Sequence, residues 1–401
     1  MGTGTLRVCG ALLGLWLAPC AWAAPDLPFE RSLADRPVFD PNQGFGFDSS
    51  AGDRFFIQVP EGNYRVTVRL TSPRAGVASV WAEQRRLMVD AVKLPRGGTV
   101  ERHFIVNVRG PALGELPDNA TGGTAVRLKP REMGSATWDD RLSVAIVSSV
   151  GARLAWLRIE PVDVPTLYLA GDSTVTDQAV TPNASWGQFL TNYLRPDMAV
   201  ANHAESGESL KSFVTGQRFD KLLSKLRPGD WVMLQFGHND QKAQWPQTFV
   251  DAAGTYRTWL RVYVDEIRRR GATPLFVTSP ERRNFDEQGR IRPTLAEYAQ
   301  AMREVARELG VACIDLNTMS VRLYEALGIE LSPLAFADGG DDRTHHNEYG
   351  ARQLARAVIE GLRGANDVLT AGLPRHISPD AGAFDPSDPP LPDRKPRHET
   401  P

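Results

Sequence analysis

Apolar and polar residues alternate in short segments over the first part of the chain, from about residue 25 to residue 160. In residues 64–70 every second position is apolar, and the preceding residues 60–63 read Pro-Glu-Gly-Asn. A period of two predicts half-buried strands, and the Pro- and Gly-containing stretch predicts a hairpin connection. The same pattern recurs in residues 103–108, 125–128 and 142–147. Because no convincing helical face separates these segments, we expect a β-sandwich.

After about residue 165 the pattern changes to apolar runs separated by helical faces. The runs have the length of buried strands and cover residues 167–170, 231–234 and 274–277. Between the last two runs, residues 256–267 carry one apolar helical face, which Gly271 ends, and residues 298–309 carry another. Alternating strands and helices predict a mainly parallel sheet that helices cover on both faces.

The composition agrees with this division into two parts, and the net charge argues against nucleic acid as a partner. A chain of 401 residues has room for two domains, and 42% apolar with 23% charged residues is ordinary for a globular protein. The formal net charge is −2, so no basic surface indicates nucleic-acid binding.

The first 23 residues have the features of a secretory signal peptide. Arg7 supplies a positively charged n-region, residues 8–17 are mostly apolar, and residues 21–23 have the small-x-small pattern of a cleavage site. A membrane anchor is the alternative, but the apolar stretch is shorter than the about 20 residues that span a bilayer. We therefore expect an exported protein, periplasmic or secreted, without stable membrane insertion.

Cysteine content fits this interpretation. Cleavage after the signal would remove Cys9 and Cys20 and leave Cys313 as the single cysteine, so we expect no intramolecular disulfide. Cys313 lies in the apolar run of residues 311–314, which favours a buried strand residue over a nucleophile.

Four short polar blocks follow predicted strands in the second part of the chain, where α/β proteins place functional groups. The first, residues 171–174, offers Ser173 as a nucleophile, although a turn that caps a helix uses the same residue types. The second, residues 204–209, contains Gly207. A glycine there either makes a turn or lets a backbone N–H approach a substrate oxygen without a side chain in the way.

The other two blocks add an amide and a base. Residues 237–240 contain Asn239, which is a turn former or, in an acyl-transfer site, an oxyanion donor. Asp342 and His345 are three positions apart, so one short turn can bring the carboxylate to the Nδ1–H of the imidazole. The imidazole Nε2 would then be free to accept a proton from a serine. The alternatives are a turn that starts a helix for Asp342 and a surface histidine for His345.

A metal site is a third interpretation of the last block, because His345 and His346 are adjacent. Consecutive side chains diverge, however, and no Cys or carboxylate cluster with ligand spacing lies nearby in the sequence. We therefore expect neither a metal nor another cofactor.

The order Ser173, Gly207, Asn239, Asp342/His345 resembles the SGNH-hydrolase (GDSL esterase) superfamily over about residues 166–370. The resemblance implies a flavodoxin-like three-layer α/β domain with a parallel sheet, which the N-terminal β-sandwich precedes. It also implies that Ser173 is the nucleophile, that His345 is the general base, and that Asp342 orients the histidine. The Ser173 N–H, the Gly207 N–H and the Asn239 amide would form the oxyanion hole.

Further motifs are similar to one branch of that superfamily, the rhamnogalacturonan acetylesterases and their bacterial relatives. These motifs are residues 171–175, 185–188, 202–204, 235–240 and 345–351. The branch implies an O-acetylated pectin backbone, or a similar plant polysaccharide, as substrate. Trp186, His238 and His346 are the candidate substrate-binding residues, and His346 stands where related enzymes have an aromatic residue.

The resemblance thus implies a carbohydrate acetylesterase, and the residue types at the four blocks fit an acyl-enzyme mechanism on Ser173. Its partner would be an acetylated polysaccharide or oligosaccharide. One alternative is an SGNH lipase or thioesterase, although no clear apolar insertion for an acyl chain lies near the four blocks. Another is a non-catalytic carbohydrate-binding protein, although such a relic is expected to lose a triad residue, and all three are present.

The N-terminal domain is expected to be galactose-binding-like, and its aromatic residues leave two interpretations open. Trp81, Trp138 and Trp156 are either sugar-stacking platforms or core residues. Arg85 and Arg86 are expected to form inter-domain ion pairs rather than to contact an acidic polysaccharide. Since the chain after Leu373 is rich in Pro and Asp, we expect it to be disordered. The expected division is a signal peptide 1–23, a β-sandwich 25–162, a hydrolase domain 165–372 and a disordered tail 373–401.

Overall fold

The computed structural model describes residues 24–48, 53–114 and 122–391. The predicted signal peptide lies outside these residues. Within them, two antiparallel sheets precede one parallel sheet. This confirms the predicted fold class, a β-sandwich followed by a flavodoxin-like α/β domain. No helix in the described ranges is long and apolar enough to cross a membrane.

The N-terminal β-sandwich contains nine strands in two sheets. The strands are β1 Phe29–Ser32, β2 Phe45–Phe47, β3 Arg54–Gln58, β4 Gly62–Thr71, β5 Gly76–Ala82, β6 Arg86–Leu94, β7 Thr99–Val108, β8 Arg141–Ser148 and β9 Arg153–Pro161. The sheet orders are β1-β9-β4-β7 and β2-β3-β8-β5-β6. In β4 the apolar side chains from Tyr64 to Leu70 are buried at every second position, as the sequence period predicts. They pack with the inner face of the other sheet into a separate core.

Residues 125–128 are not a strand, so that expectation is wrong. Only Ala125 forms an isolated bridge, with Ala112. The backbone of Arg127 instead donates a hydrogen bond to the Gly216 carbonyl of the second domain. The segment leads into the 3₁₀ helix Pro130–Glu132. Its alternating residues therefore have no sheet to join, because they run along the domain interface.

The second domain has one parallel sheet with the order β11-β10-β12-β13-β14. Its strands are β10 Thr166–Gly171, β11 Ala199–Asn202, β12 Trp231–Gln235, β13 Thr273–Val277 and β14 Ala312–Ile314. Its α-helices are α1 Trp186–Leu190, α2 Leu210–Thr215, α3 Arg218–Lys225, α4 Thr255–Arg269, α5 Ala296–Leu309, α6 Leu316–Leu331 and α7 Glu348–Arg363. Short 3₁₀ helices cover Thr191–Tyr193, Ser332–Ala335, Asp338–Gly340, Leu373–His376 and Pro379–Ala381.

Each face of the parallel sheet has its own apolar core, which gives three layers. Helix α4 buries the predicted apolar face, and α5 ends at Gly310, whose φ of +59° is the left-handed conformation that favours glycine. Cys313 is a partly buried residue of β14, and burial raises the pKa of its thiol to about 12.

The expected disorder of the tail is wrong for residues 373–391. Leu373 is completely buried and Phe384 is 6% exposed, and both belong to the core beneath the sheet. The Tyr349 hydroxyl also donates a hydrogen bond to the Pro390 carbonyl, at 2.7 Å. A few well-placed apolar residues thus anchor a segment whose average composition is polar. The expectation for residues 392–401 lies outside the described residues.

The two domains share a packed interface. Trp81 of β5 belongs to the core of the second domain and meets the Phe189 ring edge-on, with ring centroids 5.8 Å apart. Arg86 and Asp177 form a fully buried ion pair at 2.6 Å, and the Arg85 guanidinium donates to the Gln178 carbonyl. The expected inter-domain ion pair is confirmed for Arg86, whereas the contact of Arg85 is a hydrogen bond to a backbone carbonyl.

The tryptophans of the β-domain differ in burial. Trp81 and Trp138 are 3% and 6% exposed, which favours the core interpretation over sugar platforms for both. Trp156 is only partly buried and lies beneath the Arg69 guanidinium, 4.1 Å from its carbon to the ring centroid.

Candidate active site

Ser173, His345 and Asp342 form a connected chain of hydrogen bonds. Ser173 lies two residues after the end of β10, and the other two lie in the loop before α7. The Ser173 Oγ is 2.9 Å from His345 Nε2, and His345 Nδ1 is 2.7 Å from Asp342 Oδ2. This is the geometry in which a carboxylate orients an imidazole and the imidazole accepts a proton from a hydroxyl.

The short spacing between Asp342 and His345 builds a turn around the carboxylate. The other oxygen, Oδ1, accepts hydrogen bonds from the backbone N–H groups of Thr344 at 2.7 Å and of His345 at 2.8 Å. Partial burial opposes ionisation of Asp342, but these hydrogen bonds and the His345 side chain outweigh it and lower the pKa of the carboxyl. Asp342 is therefore a fixed anion beside the imidazole at neutral pH.

The loops after β11 and β12 lie on either side of the loop that carries Ser173, because β10 is the strand between them. Gly207 has a φ of +85°, which only glycine adopts without strain. Among the described residues, the N–H groups of Ser173 and Gly207 have no hydrogen-bond acceptor. Both are therefore available to a substrate oxygen.

Asn239 is buried, and its amide is held at both ends. Its Nδ2 donates to the Glu208 carbonyl at 2.9 Å, and its Oδ1 accepts from Lys242 Nζ at 2.8 Å. The lysine fixes which end of the amide carries the N–H groups, and one of the two Nδ2 hydrogens has no acceptor in the part of the chain that the structure describes. Sequence reasoning missed Lys242, and its only signal was a spacing of three residues within one loop.

The turn that holds Ser173 rests on Asp172, which sequence reasoning also missed. Its Oδ1 accepts hydrogen bonds from both the N–H and the hydroxyl of Thr174, and its Oδ2 lies 3.2 Å from His238 Nδ1. Asp172 is completely buried, which opposes ionisation, but His238 and Thr174 outweigh this and lower the pKa of the carboxyl. This carboxylate fixes the turn on which the nucleophile sits.

The expectation that Trp186, His238 and His346 contact substrate is wrong for Trp186 and His346. Trp186 is 1% exposed, and its indole N–H donates to Gln235 Oε1 inside the core. His346 is 1% exposed, because the side chain following His345 turns the opposite way. Burial lowers the pKa of His346 to about 3, and its Nε2 lies 2.7 Å from the Tyr324 hydroxyl.

His238 is 3% exposed and lies under the Ser173 turn, where it holds Asp172. Its Nε2 has no partner within the described ranges. Substrate contact through this nitrogen stays a prediction.

The described residues contain no cluster of three or more His, Cys, Asp or Glu side chains that could hold a metal ion. His345 faces Ser173 while His346 faces Tyr324, so the adjacent imidazoles do not converge. The groups that the site offers are a hydroxyl, an imidazole, a carboxylate and N–H donors. Such a set suits acyl transfer.

Comparison with known proteins agrees with this chemistry. The sequence model of the GDSL-like lipase/acylhydrolase family matches residues 169–353. Rhamnogalacturonan acetylesterase RhgT of Bacillus subtilis is 41% identical over 209 residues, which are 49% of this chain and 88% of that protein. The Bacillus subtilis protein YesY, named a probable rhamnogalacturonan acetylesterase, is 34% identical over 210 residues, 52% of this chain and 96% of that protein.

A third relative extends into the N-terminal domain. The uncharacterized esterase YxiM of Bacillus subtilis is 26% identical over 330 residues, 81% of this chain and 78% of that protein. The crystal structure of the Bacillus subtilis YxiM protein covers 80% of this chain and 82% of its own, with 23% identity and a TM-score of 0.48.

The expected superfamily and the expected class of enzyme, an ester hydrolase, are confirmed by the family match and by the two relatives above 30% identity. The chain belongs to the GDSL-like lipase/acylhydrolase family.

Proposed function

We propose that this protein is a carbohydrate esterase that removes O-acetyl groups from a pectic polysaccharide, as the name of its relative RhgT describes for that enzyme. The observation that carries the proposal is the Ser173–His345–Asp342 chain, with distances of 2.9 and 2.7 Å. Ser173, Asp342 and His345 are its proposed catalytic residues, with Gly207 and Asn239 as oxyanion donors.

The proposed reaction begins when His345 Nε2 accepts the Ser173 hydroxyl proton and the serine oxygen attacks the acetyl carbonyl carbon. The carbonyl oxygen becomes an oxyanion, to which the Ser173 and Gly207 N–H groups and the Asn239 amide donate. Protonated His345 then gives the proton to the departing sugar oxygen, which leaves an acetyl ester on Ser173. Water attacks this ester with the same base, and acetate is released.

The surroundings of the site favour an acidic polymer as substrate. The side chain of His345 is 35% exposed, so the triad lies at an open surface rather than in a tunnel for an acyl chain. Three cationic side chains belong to loops around it. Lys242 holds Asn239, Arg282 reaches toward the His238 carbonyl, and Arg343 is an exposed neighbour of Asp342. Galacturonate carboxylates of pectin would be attracted to these charges.

We also propose that the protein acts after export, since a polymeric plant substrate lies outside the cell and residues 1–23 have signal-peptide features. Loss of residues 1–23 from protein recovered from the periplasm or medium would test this part, and retention in the cytoplasm at full length would contradict it.

Acetate release from a panel of substrates tests the proposed function. The panel contains acetylated rhamnogalacturonan, acetylated homogalacturonan, acetylated xylan, and p-nitrophenyl esters of short and long acyl chains. We expect the highest kcat/KM on an acetylated pectic polymer, with a decrease at high salt as surface charges are screened. Preference for neutral acetylated xylan would contradict the pectic substrate, and preference for long acyl chains would favour a lipase.

A further inference from the structure

The oxyanion loop, residues 205–208 after β11, is held by side chains of the N-terminal domain. These side chains belong to the basic finger, which we define as residues 129–132 at the 3₁₀ helix between β7 and β8. The finger is remote from Gly207 in sequence, yet a Cβ added to Gly207 would lie 3.7 Å from Lys129 Nζ. The β-sandwich therefore reaches the edge of the candidate active site.

Two cationic side chains of the basic finger converge on one carbonyl. Lys129 Nζ donates to the Ser206 carbonyl oxygen at 2.5 Å, and Arg131 Nη2 donates to the same oxygen at 2.6 Å. Carboxylates on either side of Ser206 fix the two cations. Arg131 Nε donates to Glu205 Oε1 at 2.8 Å, and Lys129 Nζ lies 2.6 Å from Glu208 Oε1.

The carbonyl of Ser206 belongs to the same peptide group as the N–H of Gly207. In a planar trans peptide the C=O and the N–H point in opposite directions. Holding the Ser206 oxygen toward the basic finger therefore turns the Gly207 N–H away from it, and that N–H has no acceptor among the described residues. Donation to the carbonyl also polarises the peptide, which strengthens the N–H as a donor.

The same finger supports the second oxyanion donor. Glu132 is 5% exposed and accepts a hydrogen bond from Arg218 Nη2, and Arg218 Nε lies 3.5 Å from the Glu208 carboxylate. Glu208 in turn accepts the Asn239 amide through its carbonyl, at 2.9 Å. Movement of the finger would thus disturb both Gly207 and Asn239.

We infer that Lys129 and Arg131 are positioning residues that lock the Ser206–Gly207 peptide in the orientation that donates to the oxyanion. The β-sandwich then serves catalysis on any acetyl ester, however small, and not only the capture of a polymer. The inference rests on the proposed acyl-transfer function of this site.

The test uses the full mature chain and p-nitrophenyl acetate, a substrate too small to need a glycan-binding surface. We expect Lys129→Met with Arg131→Met to lower kcat about ten- to hundredfold with little change in KM. Both bounds lie at or below the about 10²- to 10³-fold loss that removal of a whole donor causes, because the Gly207 N–H is misdirected only part of the time. The single variant Lys129→Met should also have a lower kcat than the wild type. Lys129→Arg keeps a cationic donor and should therefore retain most of the kcat that Lys129→Met loses.

A matched control separates positioning from general loss of inter-domain contacts. Glu61 of the β-domain pairs with Lys221 and Lys225 on α3, at 2.6 Å each, and touches no residue of the oxyanion loop. Glu61→Gln should keep the wild-type kcat even if its melting temperature falls. If it lowered kcat as much as the double finger variant, or if the double variant kept wild-type kcat, the inference would be overturned.

Two further measurements distinguish a positioning role from a loss of folded protein and from failure of the proposed function. The rate of inactivation by a fluorophosphonate, which also forms an oxyanion-like adduct, should fall in parallel with kcat in the finger variants. If kcat fell only in proportion to the amount of folded protein, and the folded fraction were inactivated at the wild-type rate, Lys129 and Arg131 would not be positioning residues. Ser173→Ala is measured alongside, because activity in that variant would refute the proposed acyl-enzyme function rather than the role of the finger.

Discussion

The carboxyl edge of the parallel sheet and the edge of the β-sandwich that faces it contribute to the site in different ways. The first carries the proposed catalytic groups of Ser173, His345 and Asn239, each in a loop after a strand or before a helix. The second supplies side chains such as Lys129 that hold those loops but touch none of the triad residues. Reactive groups are restricted to a few residue types by their chemistry, whereas supporting groups only need to fit the place where two surfaces meet.

The largest loss of activity is expected when the proposed nucleophile or its base is removed. Ser173→Ala and His345→Ala should each lower kcat about 10⁴- to 10⁶-fold, because a nucleophile and its base act as a unit. For the same reason the double variant should be hardly slower than either single variant. Steady-state hydrolysis of p-nitrophenyl acetate by folded, purified protein measures this. A Ser173→Ala enzyme with one tenth of wild-type activity would exclude Ser173 as nucleophile.

The next largest effect is expected at the amide donor. Asn239→Ala should lower kcat about 10²- to 10³-fold, the usual loss for one oxyanion donor, with a smaller effect on KM. A change confined to KM would instead make Asn239 a residue that binds the ground state.

Within the hydrolase domain, Lys242 is a supporting residue that contacts the proposed oxyanion donor Asn239. Lys242→Met should lower kcat about tenfold, which corresponds to one hydrogen bond to a charged group. Because Lys242 acts through Asn239 Oδ1, the double variant with Asn239→Ala should be no slower than Asn239→Ala alone. Full additivity of the two losses would show that Lys242 contacts substrate directly.

The smallest effect on catalysis is expected at Glu83, whose carboxyl accepts a hydrogen bond from the Ser143 N–H within the β-sandwich. Burial raises the pKa of Glu83 to about 8, with a further contribution from Asp139. The folded protein therefore binds a proton that the unfolded chain releases above about pH 4.5, so this group favours folding at low pH and loses that effect as pH rises to about 8.

Glu83→Gln removes this titration and keeps an oxygen for the Ser143 N–H. The melting temperature of the variant should therefore decline less than that of the wild type between pH 5 and pH 8.5, with kcat unchanged. An identical decline in both proteins would show that Glu83 titrates normally in the fold.

Sequence reasoning recovers features that local pattern or chemistry fixes. The alternation in residues 64–70 specifies a strand of the sandwich, and Asp342 and His345 need only one turn between them to pair. It fails where the partner is distant along the chain. Nothing local marks Lys129 as a neighbour of Ser206, and the polar composition after Leu373 hides the burial of Phe384.

The prediction that His346 binds substrate was wrong for a related reason. Proximity to His345 in sequence does not place the two side chains on the same side of the backbone. The family motifs indicated Ser173, Asp342 and His345, which the fold brings within hydrogen-bond distance of one another. The motifs gave no information on whether neighbouring positions face the pocket or the core.

Covalent labelling is the decisive experiment for the role of Ser173 as the nucleophile. The wild-type enzyme is inactivated with a fluorophosphonate, digested, and mapped by mass spectrometry. We expect one label per chain, on Ser173, with loss of activity in proportion to labelling. A label on another residue, such as Ser206 or Ser209 of the neighbouring loop, or full activity with Ser173 completely labelled, would contradict it.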